Sequence, residues 1–471
     1  MGVRRRGLAM AALLSVLVGC AASDGDAAPP RPSGNSSPTQ PTQPTPDASP
    51  SAAQATEPLT IAFDIHRPAL DLTAEQAQQI AGGAAVTWAE LGQRGGRLVV
   101  REGADAVRAA ERDPGSVALV AASALGPTLQ TATIDGVDPL RDASRYPLTT
   151  GAAAGSPPSV TTVTIAGDIM LGRRVGASGQ PGAELRPLQR RLAGADLTVG
   201  NLESTLSDNG DRQQGGDSFA ADPSVLRALD DAGFDLLSLA NNHTGDYGQR
   251  AFRETLQRLD ESPIKRVGAG RNAQEAWRPA VLESGGVRFG FVAFNAIGET
   301  PAATATRPGA AQVRMQPRTG PLNRRDLRRL TATIRELKQR VDVVITLPHW
   351  GDQYTNVPVR DQRRVGAAMV DAGADLVVGG HPHWVQGIQV HNGTPIVHSL
   401  GNFVFDMDFS RATEEGVLAE LVFWDEELKG IRFTPYVIGR DFAPRLAAGS
   451  RARRTLQRMW SASDAPYARR L

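Results

Sequence analysis

Five apolar segments of the chain are each followed by side chains that can bind a metal ion. The segments cover residues 160–166, 197–199, 235–240, 341–347 and 375–378. The polar residues that follow them are Asp168, Asn201, Glu203, Asn241, Asn242, His243, His349, His381 and His383. Carboxylate, amide and imidazole groups are ligands of divalent transition metals. One such residue alone is typical of a turn or a cap, but the whole set predicts a metal site.

The apolar segments alternate with loops and helix candidates, and this alternation predicts an α/β fold with buried sheets. The helix candidates cover residues 224–232, 323–339 and 360–372, and the second of them carries its apolar residues on one face. In an open α/β sheet, ligands bind outside the carboxyl ends of the strands. We therefore expect the five segment ends to meet at one cleft, although they are far apart in the chain.

A short pattern occurs twice and places two histidines in the same way. Residues 231–237 read DAGFDLL and lead to His243, whereas residues 371–377 read DAGADLV and lead to His383. Each copy predicts the end of a helix, a glycine stop and a buried strand. The repeat indicates two equivalent half-units that deliver histidines to one cleft.

Six motifs, in this order, resemble the CapA family, which is associated with poly-γ-glutamate capsule synthesis. They span roughly residues 160–440 and are Gly167-Asp168-Ile169-Met170-Leu171, Asn201-Leu202-Glu203, Ala240-Asn241-Asn242-His243 with Asp246 and Gly248, His349-Trp350-Gly351, Gly380-His381-Pro382-His383 with Gln386, and Ser399-Leu400-Gly401-Asn402-Phe403. More distantly, the series resembles calcineurin-type metallophosphoesterases. The resemblance implies an α/β fold with metallophosphoesterase-like layered sheets and flanking helices.

This resemblance also implies roles for individual residues. His243 would be the general acid or a charge stabiliser. Asn241, Asp246 and Asn402 are candidate substrate contacts, and a turn amide is the alternative for Asn402. One or two divalent ions (Mn, Zn, Fe or Mg) would be held by Asp168, Glu203, Asn242, His349, His381 and His383.

One position departs from the metallophosphoesterase pattern. Ordinary members carry Gly-Asp-x-His at the first strand end, whereas here Met170 follows Gly167, Asp168 and Ile169. A thioether is a poor ligand for Mn, Mg or Zn beside carboxylates. We therefore expect Met170 to pack beneath Asp168, and we expect one tight and one weak metal site.

Two functions from different classes stay open. The first is a metal-dependent hydrolase of the metallophosphoesterase type, which cleaves a phosphoester or an amide of a surface polymer during capsule synthesis. The second is a non-catalytic, metal-containing component of polymer assembly, export or anchoring. The capsule synthesis machinery is the expected partner in either case. The formal net charge of +1 gives no indication of nucleic acid binding.

The N-terminal residues are typical of an exported lipoprotein. Arg4, Arg5 and Arg6 precede a short apolar run, and residues 17–20 resemble the lipobox, in which the cysteine is lipidated. Cys20 is the only cysteine of the chain. The alternative is an ordinary signal peptide with an incidental cysteine. The lipobox predicts a protein that is anchored to the cell membrane through Cys20 and faces outside the cytoplasm.

Composition divides the rest of the chain. Residues 21–58 are rich in Pro, Ser and Thr and predict a disordered tether, because they contain too few large apolar side chains to form a core. Residues 59–150 predict a small α/β lobe that resembles part of a periplasmic phosphate-binding protein but lacks its anion loop. This lobe has a structural role or recognises a small anion. A linker (151–159), the main domain (160–440) and a tail (441–471) complete the predicted organisation.

Overall fold

The computed structural model describes residues 56–153, 157–177, 179–207 and 209–468, and these described residues belong to one compact unit. The predicted signal peptide with Cys20, the predicted tether up to residue 55 and the last three residues lie outside the described part. Within that part, no helix combines the length and the apolar composition that are needed to cross a membrane.

Residues 56–153 form a small α/β lobe. Its strands are β1 (Thr56–Asp64), β2 (Asp71–Leu72), β3 (Val99–Arg101), β4 (Ser116–Ala121), β5 (Leu129–Thr131), β6 (Thr133–Ile134) and β7 (Thr149–Ala153), and its helices are α1 (Ala74–Ala81) and α2 (Ala106–Arg112). The main sheet has the order β3-β4-β1-β5, and β7 also pairs with β1. Thr73 caps α1, because its hydroxyl accepts a hydrogen bond from the Gln76 backbone N–H (3.2 Å).

The rest of the described chain contains most of the regular structure. Its strands are β8 (Val160–Ile169), β9 (Leu197–Leu202), β10 (Leu236–Ser238), β11 (Lys265–Val267), β12 (Ala269–Gly270), β13 (Ala280–Ser284), β14 (Val287–Asn295), β15 (Gly309–Ala310), β16 (Val343–His349), β17 (Leu376–Val378), β18 (Ile388–His391), β19 (Thr394–Val397), β20 (Asn402–Val404), β21 (Glu415–Trp424), β22 (Glu427–Ile438) and β23 (Pro444–Leu446). Its helices are α3 (Arg173–Gly176), α4 (Gln189–Leu192), α5 (Val225–Asp231), α6 (Gly248–Asp260), α7 (Ala273–Ala276), α8 (Arg324–Lys338), α9 (Arg360–Asp371) and α10 (Gly449–Ser461).

These strands form two large sheets. The first sheet has the order β11-β10-β9-β8-β21-β22-β23, with β20 also paired to β8, and its strands β8 to β11 are parallel. The second sheet has the order β13-β14-β16-β17-β19-β18, with β14, β16, β17 and β19 parallel. Parallel strands covered on both faces read as continuous apolar runs, which explains the five segments of the sequence.

The two sheets pack face to face, and helices cover their outer faces. Ile165 and Val199 of the first sheet share one apolar core with Phe291 and Ile345 of the second. Helices α5 and α6 pack on the outer face of the first sheet, and α8 and α9 pack on that of the second. The predicted α/β class with layered sheets and flanking helices is therefore confirmed.

Some local predictions need correction. The five segment ends do not belong to one open sheet, since Asp168, Glu203 and His243 lie at the edge of the first sheet and His349 and His381 at that of the second. Pairing with β9 and β20 extends β8 through Asp168. Strands β21 and β22 form a tight hairpin, in which Trp424 pairs with Glu427.

Candidate metal centre

The side chains predicted as metal ligands converge where the edges of the two sheets meet. Two groups of three each have ligand atoms that all lie within 4.8 Å of one another. One group contains Glu203, His381 and His383, and the other contains Asp168, Glu203 and His349. Glu203 is common to both groups, so one carboxylate lies within reach of both candidate sites.

The centre contains buried polar atoms that have no partner in the described part of the chain. Both carboxylate oxygens of Glu203 and both ring nitrogens of His381 lack a hydrogen bond, although both side chains are fully buried. A buried polar atom without a partner costs about 1–3 kcal/mol of stability. A divalent cation would satisfy these atoms together, because carboxylate and imidazole are its ordinary ligands. The donor set therefore fits a divalent metal ion.

Burial dominates the protonation of the centre. It raises the pKa of Glu203 well above its usual range, and the carboxylates of Asp168 and Asp246 raise it further. Burial also raises the pKa of Asp168 to about 6 and lowers the pKa values of His349 and His381 well below their usual range. The imidazoles are thus neutral, which is the form that binds metals. A nearby positive charge would favour the ionised form of the two carboxylates, which burial disfavours.

Asn242 turns its carbonyl oxygen toward the centre. Its Oδ1 lies 2.8 Å from His349 Nε2, and its Nδ2 donates to Glu299 Oε2 at 2.8 Å. An ionised carboxylate only accepts hydrogen bonds, so Glu299 determines which end of the amide faces inward. Arg318 donates to the other oxygen of Glu299 at 3.1 Å. Glu299 is therefore an orienting residue that the sequence motifs did not contain.

His243 stands beside Glu203 with one ring nitrogen already occupied. Its Nδ1 lies 2.7 Å from Asp246 Oδ2, and its Nε2 lies 3.8 Å from Glu203 Oε1. The ring stacks on Phe219 at 3.7 Å between centroids. Asp246 also accepts from the Phe219 N–H at 2.7 Å, so the predicted substrate contact Asp246 orients His243.

The other two candidate substrate contacts are also bonded within the protein. The Asn241 side chain donates to Leu202 O at 2.8 Å and accepts from the His243 N–H at 3.0 Å. Asn402 Oδ1 lies 2.8 Å from His383 Nδ1, and Asn402 Nδ2 donates to Thr413 O. Both amides are fully buried. The structure places them at the site as groups that hold the histidines in position.

Comparison with known proteins gives a family. Residues 162–407 match the family model described as bacterial capsule synthesis protein PGA_cap. The chain belongs to this capsule synthesis family. The predicted CapA resemblance is therefore confirmed.

Two relatives from Bacillus support the assignment of the chain to the PGA_cap family. The capsule biosynthesis protein CapA of Bacillus anthracis is 33% identical over 265 residues, which cover 55% of this chain and 62% of that protein. The PGA biosynthesis protein CapA of Bacillus subtilis is 32% identical over 266 residues, covering 55% and 67%. The chain thus spans less than two thirds of the Bacillus anthracis relative.

A mycobacterial relative and two solved structures are more distant from this PGA_cap member. A probable polyglutamine synthesis accessory protein of Mycobacterium tuberculosis is 28% identical over 295 residues, covering 53% of this chain and 76% of that protein. A hypothetical protein from Thermus thermophilus aligns with a TM-score of 0.38 at 19% identity, covering 59% of this chain and 99% of that one. A putative 5'-nucleotidase from Staphylococcus aureus has a TM-score of 0.38 at 14% identity, covering 63% and 57%.

In this PGA_cap member, Met170 packs in the apolar core. It is fully buried in the apolar core between the first sheet and its helices, and its sulfur accepts from the Gly172 N–H at 3.1 Å. That position agrees with the expectation that Met170 packs and does not bind a metal. The predicted difference between two metal sites stays a prediction.

Positive φ occurs at several site residues of this PGA_cap member, some of them outside the motifs. Nine non-glycine residues in the described part of the chain have positive φ. His381, His383, Glu299, Tyr354 and Arg173 are among them, and all five lie at or near the centre. Such backbone costs of order 1–3 kcal/mol and persists where the surroundings enforce it. Single-sequence patterns carry no signal for it, because nothing in these residue types predicts positive φ.

Proposed function

We propose that this protein is a metal-dependent hydrolase of the phosphoester-cleaving type that acts in the synthesis of a capsule or another surface polymer. The observation that carries the proposal is the pairing of two features in one cleft. Glu203 and His381 are buried, and their polar side-chain atoms have no hydrogen-bond partner among the described residues. His243, beside Glu203, is held by Asp246. The buried side chains of Glu203 and His381 are suited to bind a cation, and the His243–Asp246 pair is suited to transfer a proton.

Each group has a separate task in this proposal. Divalent ions, when bound, polarise a phosphoryl or carbonyl oxygen and make water more acidic. His243 holds or donates a proton at Nε2, since its Nδ1 is engaged by Asp246. Phe219 stacks on the ring and limits its rotation. The ions would be held by Asp168, Glu203, Asn242, His349, His381 and His383.

The place of the reaction in polymer synthesis rests on the relatives. Two of them carry capsule or PGA biosynthesis in their names, and a third is named an accessory protein of polyglutamine synthesis. We extend that role to this chain, with the capsule synthesis machinery as partner. The extension concerns the shared region, which matches about half of this chain.

Metal analysis of the purified protein, followed by a phosphoester hydrolysis screen with the metal found, tests the proposal. We expect His243→Ala to abolish turnover while the protein still folds and retains its metal. His391→Ala is the matched control, because His391 is paired with Asp371 at the surface and lies outside the centre. Equal turnover in the wild type and His243→Ala would contradict the assigned role of His243.

A second candidate function is a non-catalytic role in polymer assembly, export or anchoring. The observation in its favour is Met170, which occupies the position where ordinary metallophosphoesterases have a further imidazole ligand. In that case the metal-loaded protein would bind polymer carboxylates without turning over any phosphoester. Polymer binding that is lost on His381→Ala, with no turnover in the screen, would favour this candidate.

We also propose that the chain is lipid-anchored through Cys20 and faces outside the cytoplasm. The support is the lipobox-like sequence and the absence of any other cysteine. Cys20→Ala is expected to move the protein from the membrane fraction to the soluble extracytoplasmic fraction. A variant that still sediments with membranes after a high-salt wash would contradict the anchor.

A further inference from the structure

Two aromatic side chains, Tyr354 and Phe409, form an exposed pair beside the metal centre. Their ring centroids lie 5.3 Å apart with an interplanar angle of 86°. Tyr354 is 37% exposed and Phe409 is 64% exposed. The Tyr354 ring is also 6.2 Å from the ring of His383, to which it is inclined by 29°. These two rings, called the apolar corner below, thus lie next to His383, a predicted metal ligand.

The backbone of Tyr354 is strained. Its φ is +61°, a left-handed conformation that a bulky residue rarely adopts. The backbone N–H of Tyr354 donates to Pro382 O at 2.9 Å, which ties the ring to the turn between His381 and His383. Strain of this kind persists where function or packing requires it. Because the ring is partly exposed, packing alone does not account for it.

The loop that carries Phe409 is held on both sides. Asp406 pairs with Arg173, and Asp408 pairs with Arg174 at 2.8 Å. After Phe409, the Thr413 hydroxyl donates within the loop, with Met407 O at 2.7 Å. Phe409 therefore presents its ring to solvent from a braced loop. Rigid apolar surface next to a polar cleft is typical of a ligand site.

The candidate metal centre lies directly beside these two rings. The guanidinium of Arg173, which pairs with Asp406, lies 4.3 Å from the Phe219 ring centre, and Phe219 stacks on His243. His383, whose ring is 6.2 Å from the Tyr354 ring, is one of the candidate metal ligands. A ligand that fills the corner would therefore have its neighbouring atoms at the metal centre.

We propose that Tyr354 and Phe409 form a subsite for a flat, apolar ring in the leaving group of a phosphoester substrate. This inference rests on the proposed hydrolase function and names its substrate class. Two aromatic rings at nearly right angles offer one face and one edge, and a third ring can pack against both.

Calorimetric binding of two phosphonates to the metal-loaded protein tests the proposal without requiring turnover. Phenylphosphonate carries a ring and methylphosphonate does not, whereas both carry the anionic group. We expect phenylphosphonate to bind roughly tenfold more tightly, which is the scale of one aromatic stacking contact. Phe409→Ala should remove that preference and leave methylphosphonate affinity unchanged.

Two further variants separate the ring from a general surface effect. Phe409→Tyr retains a ring and should retain the preference for phenylphosphonate. Leu446→Ala removes another exposed apolar side chain, 51% exposed on β23, and should leave both affinities unchanged. Because Phe409 is exposed, its truncation is not expected to unfold the protein.

The outcomes distinguish the subsite from the function on which it rests. Equal affinity for the two phosphonates, or a preference that survives Phe409→Ala, would overturn the subsite and leave the hydrolase proposal intact. If neither phosphonate binds the metal-loaded protein, the phosphoester function fails and the subsite fails with it. A preference that disappears only in the ring-removing variant supports both.

Discussion

The carboxylate of Glu299 restricts the Asn242 amide to one orientation, because a carboxylate can only accept hydrogen bonds. Glu299 is itself held by Arg318 and by a left-handed backbone with φ of +61°. The Asn242 oxygen, 2.8 Å from His349 Nε2, is thereby presented to the centre. Glu299, which lies outside every sequence motif, thus orients Asn242, a candidate ligand that lies inside one.

We predict that Glu299→Ala weakens metal binding by roughly 10–100-fold, the range found for partners of metal ligands. The Asn242 amide would then rotate freely and present its oxygen only part of the time. Titration calorimetry of the apo protein measures the change. Glu336→Ala, which removes an exposed carboxylate of α8, is the control. Unchanged affinity in Glu299→Ala would show that Asn242 needs no orienting partner.

The buried environment of His398 leads to a prediction about the pH dependence of stability. It is fully buried against Trp350, and neither ring nitrogen has a partner in the described part of the chain. Burial, and to a smaller extent the charge of Arg363, lowers the pKa of His398 to about 3. Between about pH 6.5 and pH 3 the unfolded chain therefore binds a proton that the folded chain does not.

It follows that His398 lowers the free energy of unfolding as the pH falls from 6.5 toward 3, by up to about 1.4 kcal/mol per pH unit. His398→Phe should remove this part of the acid sensitivity. At pH 7 the variant should match or exceed the wild type in stability, because no hydrogen bond is lost. Urea unfolding of both proteins at pH 7, 6, 5 and 4 measures the difference. Parallel pH profiles would contradict the buried, neutral histidine.

At the scale of elements, the repeated pattern of the sequence becomes two matching corners. Helix α5 leads through Gly233 into β10 of the first sheet, and α9 leads through Gly373 into β17 of the second. Both glycines have positive φ, +88° and +107°. Each corner begins the strand whose far end delivers ligands, so the two half-units supply one centre from opposite sheets.

Replacing each of these two glycines by alanine should destabilise the protein to a different extent. In both Gly233→Ala and Gly373→Ala the left-handed backbone costs about 1–2 kcal/mol. At Gly233 an added Cβ would also lie 2.7 Å from Ala193 Cα, whereas at Gly373 it would meet the flexible Lys338 side chain at 3.2 Å. We therefore expect Gly233→Ala to be the more destabilising by a further ~1–3 kcal/mol. Chemical denaturation measures the free energy of unfolding of both variants. Equal losses of this free energy would contradict the expectation.

At the scale of the whole molecule, the small lobe and the hairpin β21–β22 share one core. Trp424 of β21 packs with Ala62 and Leu129 of the lobe, and its indole N–H donates to Leu140 O at 2.7 Å. The Lys429 ammonium donates to Ser123 O at 2.7 Å. The lobe therefore contributes to the stability of the sheet that carries Asp168, whether or not it binds a ligand.

We predict that the lobe and the main part unfold in one calorimetric transition, and that Trp424→Ala lowers the stability of that transition by about 3–5 kcal/mol. Val281→Ala, which shortens an exposed side chain of β13, is the control and should have little effect. Two separate transitions in the wild type would mean that the lobe is an independent domain.

The class of the fold and a set of candidate ligands could be predicted from the sequence alone. Apolar strands covered on both faces are continuous in sequence, and parallel strands present their ends at one edge. For that reason Asp168, Glu203, His349 and His381 could be assigned to one cleft. The family match covers residues 162–407, which contain these four residues.

Side-chain partners and the division into two sheets were decided only by tertiary packing. Hydrophobic patterns report whether a segment is buried but not which segment covers it, so β10 and β17 could not be assigned to different sheets. Glu299, Tyr354 and Phe409 reach the centre from loops without periodicity, and their contacts join residues far apart in the chain. Asn402 had a chemistry that fitted either a ligand contact or an internal bond, and its buried position beside His383 selected the internal bond.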